Sequence, residues 1–524
     1  YLANYLNGKL QAYLGDSSDL TFGWSLSKRK KDSHGTVTGV TQAATDPTSI
    51  QGRDFARKFD VNLGKFYLTY ANDLSETSNL MLNLYRFGDH TKFWSSPVKY
   101  DAAGRQVTDI NAYANDNDYK QIQRGIKGEW RGSGDVWGWM GGIDLRDNSY
   151  TNFVRVMRDY KRSPSRFSPV VRAGTVVADN KTKERVYAMY GELKYRPLAE
   201  LTLTANARFD HIGLKYDDYL PTASAPFLSK SFNVSSWRGG FAYDIGDAAE
   251  LYGNVSTGFR APTIRQLFAG DINPTGGTSS NPNLKPERAV NYEIGVRGRM
   301  DAFSGLDWDI ALFRMERNDY ILDVAGQYNF ATGTTHQYQN IGGVRNQGVE
   351  VSLKTDPSRT LSMNLAYTLL DARFTRYDRF GLVLGNPFNP RPGAHRIVYY
   401  NNTGKRVPRV SRQRLFLALH ARPWSGMLIS GEMDARSSYF ADEINQEKIG
   451  GYTIFNLVAN YDMHLGKRVD VSFFARVDNV LDRFYYNTAR GYRDRNNDMV
   501  YNAEDLSLVV NPGRRWTAGL TATF

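Results

Sequence analysis

The chain contains no cysteine, which excludes structural disulfides and thiolate metal sites. It also lacks any run of about 18 apolar residues, so no helix spells out a membrane crossing. Mean hydropathy is −0.51, yet this leaves a membrane open, because a spanning β-strand needs only about 10 residues, half of them polar. No signal peptide is visible in these residues. Tyr1 already sits in an alternating segment, so the chain is expected to be a processed or trimmed one. No nucleic-acid motif accompanies the basic residues. No Ser/His or Asp/His spacing marks a nucleophile or an acid–base pair, so no catalytic residue is assigned and no enzyme is expected.

Aromatic residues make up 13% of the 524 residues, with 33 Tyr and 27 Phe beside 47 Gly. Tyr and Trp collect at membrane interfaces, and Gly at barrel bends. A soluble all-β protein would also be rich in aromatics, so the discriminating test is alternation along each segment. The last nine residues run W-T-A-G-L-T-A-T-F. Trp516, Ala518, Leu520, Ala522 and Phe524 take one face of a strand, and Thr517, Gly519, Thr521 and Thr523 take the other. The pattern repeats upstream. Leu201, Leu203, Ala205, Ala207 and Phe209 oppose Thr202, Thr204, Asn206, Arg208 and Asp210. Leu361, Met363, Leu365, Tyr367 and Leu369 oppose Ser362, Asn364, Ala366 and Thr368. An Arg at the lipid midplane costs about 2–4 kcal/mol, which is a physical reason for charges to keep to one face.

The pattern predicts about 19 strands. Short turns are expected near 15–18, 132–135, 196–200, 246–248, 356–359 and 423–426. Long loops are expected near 30–57, 88–118, 148–184, 213–234, 260–288, 318–344, 374–411, 438–450 and 482–513. Short turns on one rim and long loops on the other describe an all-β transmembrane antiparallel barrel. In this scheme the first and last strands both descend toward the short-turn rim. Single-chain barrels of this kind have an even strand number. An odd number of strands, about three, is therefore expected ahead of Tyr1, giving about 22 in a complete barrel.

The formal net charge is +12, unevenly spread. Arg155, Arg158, Lys161, Arg162, Arg166, Arg172, Lys181 and Lys183 face only Asp159 and Asp179 over their stretch. Arg376, Arg379, Arg391, Arg396, Lys405, Arg406, Arg409 and Arg412 face only Asp378. Such blocks suit anionic partners. Phosphorylated outer-leaflet lipid such as lipopolysaccharide, or a small anionic ligand, fits better than nucleic acid.

Residues Gly258–Phe268 read G-F-R-A-P-T-I-R-Q-L-F, and Asn281–Arg288 read N-P-N-L-K-P-E-R. Pro262 ends a strand ladder by removing a donor, while Pro282 and Pro286 bracket Leu284 in a rigid turn, so the pair forms a structured loop base. Phe259, Arg260, Ala261 and Pro262, with Asn281, Pro282, Asn283 and Leu284, closely resemble the paired boxes of TonB-dependent outer-membrane receptors. D-N-V-L-D-R-F-Y-Y at Asp478–Tyr486 and N-P-G-R-R-W at Asn511–Trp516 resemble that family's C-terminal stretches. The resemblance covers the whole chain as one barrel domain, residues 1–524. It implies a barrel of about 22 strands around a globular plug, in the outer membrane of a Gram-negative bacterium. It further implies energised import of a scarce nutrient through the TonB complex, which acts on the plug. No plug sequence or TonB-coupling box occurs in this chain, so the barrel portion of a longer, monomeric receptor is expected. A passive porin is the alternative if the chain acts alone.

A ferric siderophore is the expected cargo, with cobalamin or haem as alternatives and no intrinsic cofactor. The resemblance places a haem-ligating His between the two boxes, and this chain has none there; His336 and His395 lie in loops from which an axial site could be reached. A small anionic iron chelate calls for Arg donors and aromatic faces at the outer mouth. The candidates are Trp94, Tyr150, Arg162, Arg166, Tyr320, Tyr328, Phe330, Tyr338, Tyr377 and Arg379. Asp494, Asn496, Asp498 and Asp505 match positions 1, 3, 5 and 12 of a calcium loop. Met499 stands where Gly is wanted and Asp505 where Glu is usual, so a solvated acidic loop competes with calcium binding.

Overall fold

The computed structural model describes residues 2–47, 56–109, 111–221, 223, 226–272, 278–301, 305–329, 334–358, 360–386, 393–466 and 469–523. Among these, a single 20-stranded sheet dominates, made of nineteen long strands and the two-residue strand Thr278–Ser279. The long strands are β1 (Leu2–Tyr13), β2 (Ser18–His34), β3 (Ala56–Ser75), β4 (Ser78–Pro97), β5 (Tyr113–Ser133), β6 (Trp137–Val156) and β7 (Val176–Leu198). They continue as β8 (Leu201–Asp218), β9 (Phe227–Ile245), β10 (Ala249–Arg260), β11 (Glu287–Met300), β12 (Leu306–Asn329) and β13 (Thr334–Thr355). The series ends with β14 (Leu361–Arg376), β15 (Gln413–Ala421), β16 (Met427–Arg436), β17 (Tyr452–Leu465), β18 (Val469–Asp478) and β19 (Arg515–Thr523). Each pairs antiparallel with its sequence neighbours, so the wall is one continuous meander.

The short turns fall where expected. Gly15 and Gly246 take left-handed backbone, with φ of 84° and 61°, which glycine adopts without steric cost. On the opposite rim the strands run further than the sequence pattern indicated. The segments expected as loops at 88–118 and 148–184 are shortened by β4, β5, β6 and β7. The segment 318–344 is largely the extended β12–β13 hairpin. Polar residues above the membrane continue a ladder as readily as lipid-facing ones, because the ladder is made of backbone hydrogen bonds.

One face of the wall is apolar and open. Leu82, Leu84, Ile126, Trp130, Ile143, Met189 and Phe209 are all exposed, Met189 at 63%. The other face carries the polar partners that alternation assigns inward. Tyr190 donates to Glu129 at 3.0 Å, and Lys127 and Arg131 lie within 3.0 and 3.4 Å of the same carboxylate. Arg208 links Asp144 (3.2 Å) and Asp210 (2.7 Å) across three strands. Arg476 does the same for Glu432 (2.8 Å) and Asp478 (2.7 Å). These are lumenal ladders, with apolar side chains left to meet lipid.

The glycine and tyrosine contents have a shared cause beyond bends and interfaces. Gly23, Gly125, Gly142 and Gly295 stand directly opposite Tyr67, Tyr85, Tyr190 and Tyr252. Each lumenal Tyr ring lies across its glycine so closely that a Cβ there would fall within 2.5 Å of the ring. The ring covers a backbone that has no side chain of its own.

Above the wall the connections form a packed roof. Phe374, Tyr377, Phe380, Leu382, Leu384, Ile444 and Tyr501 share one apolar cluster with Val324, Ile341 and Val344 of the β12–β13 hairpin. A second cluster joins the connection after β2 to the one before β19, through Val37, Ala43, Leu506 and Leu508. Val37–Thr38 also pairs with Ser507–Val510, which pairs with Tyr486–Arg490. The connections beside the first and last strands thus lock together, bringing the two edges of the sheet round toward each other.

Candidate functional site

The two sequence boxes meet at the top of the lumenal wall. Arg260 ends β10 and Glu287 begins β11, directly opposite each other. Glu287 is buried, with 4% of its side chain exposed. It takes a two-pronged bond from Arg260, a 3.0 Å contact from Arg317 and the Ile321 backbone N–H at 2.7 Å. A buried carboxylate with its oxygens fully engaged fixes the angle at which the chain leaves the wall.

After Pro262 the chain turns back along the wall. Thr263 and Gln266 cap a single helical turn reciprocally, at 3.2 and 3.0 Å. Ile264, Leu267 and Phe268 then bury against Ile212, Leu214, Tyr216, Phe232 and Val234 of β8 and β9. Leu284, 2% exposed, enters the same cluster from the second box. Asn281 donates to the Tyr338 carbonyl at 2.8 Å and its backbone N–H to Leu267 at 2.7 Å. Lys285 and Asn340 exchange bonds of 2.9 and 3.0 Å. The boxes are therefore a latch holding the β10–β11 connection against the lumenal wall. Arg260 is consumed by Glu287 and is not a free ligand donor.

The latch leaves Arg265 exposed, close enough to act electrostatically on both Tyr150 and Tyr338. Phe59, Phe93, Tyr119 and Tyr150 form a continuous lumenal ladder, with ring centres 5.1, 4.9 and 5.4 Å apart. Lys31 and Arg57 lie over its upper rings at 5.2 and 5.6 Å. Tyr492 is flanked by Arg490 (5.0 Å), Arg493 (5.7 Å) and Arg495 (5.9 Å), with the His336 ring edge-on at 5.6 Å. Cations over ring faces are the chemistry that receives a flat anionic ligand.

The individual candidates divide. Tyr150 and Tyr338 belong to this mouth. Tyr320 packs under Arg317, 4.2 Å from its ring. Arg379 stacks on Tyr399 at 4.1 Å within the roof. Arg162 and Arg166 are exposed on the β6–β7 connection, Arg166 over Phe167 at 4.7 Å. Two expectations are corrected. Trp94 shares the face of Leu82 and Leu84, so it points outward and away from the mouth. Tyr377 is 3% exposed, buried between Phe374 and Phe380, because its ring fills the roof. The Tyr328 side chain and Phe330 lie outside the described residues. Phe59, Phe93, Tyr119, Arg265, Arg490 and Tyr492 were missed. Phe93 could have been found by extending the period-two pattern beyond residue 88, while Phe59 and Tyr119 already lay outside the expected loops.

The acidic loop satisfies itself. Asp494, 2% exposed, accepts from Asn497 at 2.7 Å, Met499 at 2.8 Å and Gly385 at 2.9 Å. Asp505 accepts from Arg495 at 2.7 Å and Asn502 at 2.9 Å. Asp498 accepts from Val500 at 2.8 Å and meets the Asn496 amide at 2.9 Å. Among the described residues no group of three acidic or His side chains is placed to hold a metal ion. Asp494 and Asp505 thus pin the loop to its own backbone. Nearby, Asp442 is buried yet accepts from Gln446 and Glu447 at 2.9 and 2.7 Å. Burial still pushes its carboxyl above the usual range, against those amides.

The family described as TonB dependent receptor-like, beta-barrel matches residues 3–480. The chain belongs to the TonB-dependent receptor family. That membership places the wall in the outer membrane of a Gram-negative bacterium, with lipid against its apolar face. Among relatives, the vitamin B12 transporter BtuB of Photobacterium profundum is 24% identical over 270 residues, 49% of this chain and 37% of that protein. An iron-regulated outer membrane virulence protein of Vibrio cholerae is 30% identical over 125 residues, 22% of this chain and 19% of that protein. The matched stretches thus span well under two thirds of these relatives. The same fold occurs in the ferric yersiniabactin uptake receptor FyuA of Yersinia pestis, with TM-score 0.67 and 15% identity over 99% of this chain and 70% of that one. It occurs also in the siderophore receptor PiuA of Acinetobacter baumannii, with TM-score 0.69 and 12% identity over 99% and 74% of the two chains.

Proposed function

We propose that this TonB-dependent receptor barrel captures a ferric siderophore at its outer mouth and imports it with TonB-coupled energy. The observation that carries the reading is the set of cations and aromatic faces beside the latch: Arg265 within electrostatic reach of Tyr150 and Tyr338, and Arg490 and Arg493 over Tyr492. Such a set suits a chelate with negative charge and flat aromatic or amide surfaces. The solved receptors named above, one for ferric yersiniabactin and one for a siderophore, support this reading through their shared fold. A plug within the lumen and about three further wall strands belong to the same reading. The parallel run of β1 and β19, with neither edge partnered by the other among the described residues, supports the extra strands.

The BtuB relative favours cobalamin as the second reading. The test is binding to the full-length receptor of an anionic catecholate ferric chelate, a neutral hydroxamate ferric chelate, haem and cobalamin. The same compounds are then given to a deletion strain on iron-chelated medium. The proposal expects saturable binding of the anionic chelate and restored growth. Saturable binding of cobalamin alone would move the assignment to the second reading, and steady ion conductance with no saturable ligand would make the protein a porin.

A further inference from the structure

The outward face of the wall carries a charged row that the transport reading does not use. Leu84, Ile126, Leu145 and Tyr187 stand opposite one another in register across β4 to β7, all on the lipid side. One step further up the same face, the row reads Phe66, Arg86, Arg124, Asp147, Arg185, again in direct cross-strand register. Asp147 is engaged by Arg185 at 3.1 Å. Arg86 and Arg124 face each other directly with no carboxylate between them. Like charges directly opposite on one sheet face are destabilising unless an anion lies between them.

The position and surroundings narrow what that anion is. An Arg on the lipid face is costly at the midplane and cheap at the interface, so this row marks the outer edge of the hydrocarbon layer. Beside it lies a groove of about 520 Å³ lined by Phe22, Phe66, Leu84, Ile126 and Tyr187 as well as by Arg86 and Arg124. Higher on the same face Lys181 and Lys183 add positive charge, while Lys120 lies 3.9 Å from Asp118. The cargo would meet the lumenal face, on the other side of the sheet. A diffusing small anion would have no use for the apolar groove.

We infer that Arg86 and Arg124, with Arg185 held beside them by Asp147, form an anchoring site for one phosphorylated lipid of the outer leaflet. Its phosphate bridges the two opposed guanidinium groups and its acyl chains lie along the groove below. Bidentate Arg–phosphate bonding supplies the geometry, and the apolar row supplies the chain contact.

The test uses the full-length receptor in detergent, freed of endogenous lipid and titrated with bis-phosphorylated lipid A, with bound lipid counted by intact-complex mass spectrometry. The wild type should retain one lipid. Arg86→Gln with Arg124→Gln should retain it about tenfold more weakly. Arg86→Lys with Arg124→Lys should keep a substantial part of the affinity, and its folding is checked by heat-modifiable gel migration. Lipid A stripped of phosphate should bind the wild type as weakly as bis-phosphorylated lipid A binds the Gln variant. Equal binding of phosphorylated and stripped lipid to the wild type would overturn the site, independently of how any variant folds. So would undiminished binding to a folded Gln variant. Complete displacement by inorganic phosphate would overturn it too, by reducing it to a plain anion patch.

Discussion

In the lower part of β8, Leu203, Ala205, Ala207 and Phe209 point out to lipid while Thr204, Asn206, Arg208 and Asp210 point into the lumen. In its upper part the assignment reverses. Ile212, Leu214 and Tyr216 turn inward and are buried, and His211, Lys215 and Asp217 take the outer face. β7 and β9 reverse at the same height, with Val186, Phe232 and Val234 inward. The backbone ladder is unbroken through the change. What changes is the solvent. Below the switch the outside is oil and the inside water; above it the outside is water and the inside is filled by the latch. One strand thus serves two cores, and the switch marks where the membrane ends.

The contrast can be broken from the roof side or from the wall side. The largest effect is expected for Glu287→Ala, which strips Arg260, Arg317 and the Ile321 amide of their shared partner. A broken buried ion pair costs about 3–5 kcal/mol. Limited proteolysis should cut the 261–286 connection early while the wall keeps its heat-resistant migration. A wall that unfolds together with the connection would show that the two parts are not separate. Gly142→Val is the converse, a change in the wall alone. Its side chain meets the Tyr190 ring, and such overpacking costs about 1–3 kcal/mol. Thermal unfolding should move to lower temperature with the protease pattern of the roof unchanged.

Arg490→Ala with Arg493→Ala acts on the mouth only. Loss of charge-assisted contacts should weaken an anionic chelate about tenfold and leave melting unchanged. Equal affinity in the pair would move the cargo site to the Tyr150 side. The smallest effect is a pH response of the roof. Asp442 has its folded pKa raised by burial, so its contribution is favourable below the unfolded pKa and is lost as pH rises through the folded value. Hydrogen exchange across 437–451, corrected for its intrinsic rate, should slow when neutral solution is acidified toward pH ~5. Faster corrected exchange would contradict that sign.

The wall was legible in the sequence because period-two alternation is a local signal. Leu201 to Asp210 and Leu361 to Leu369 could be read as strands without knowing their neighbours. The strand ends were not legible for the reason the first comparison gives. When Ile212 and Leu214 turn apolar inward, the face assignment flips, and 213–234 reads as a loop although β8 and β9 occupy most of it. The latch was recognised by its boxes, but Glu287 as the carboxylate that fixes Arg260 was not singled out, since their pairing is 27 residues apart. The mouth was less legible still. Arg265, Tyr150, Tyr338 and Tyr492 come from separate connections, and no spacing in the sequence encodes their meeting. Tyr377 looked like a ligand face and is a core ring, because composition cannot distinguish an aromatic that waits for cargo from one that holds a roof.

The absence of native cysteine makes the central proposition directly measurable, one position at a time. Single cysteines from 203 to 217 along β8, spin-labelled in a bilayer, report oxygen access from lipid and access of a water-soluble relaxation agent. The account predicts strict alternation up to residue 209, odd positions in oil and even positions in water. Past residue 211 the odd positions should become water-accessible and the even positions protected from both. A uniform profile, or alternation that keeps its sense to residue 217, would contradict a lipid-facing wall that ends at that height.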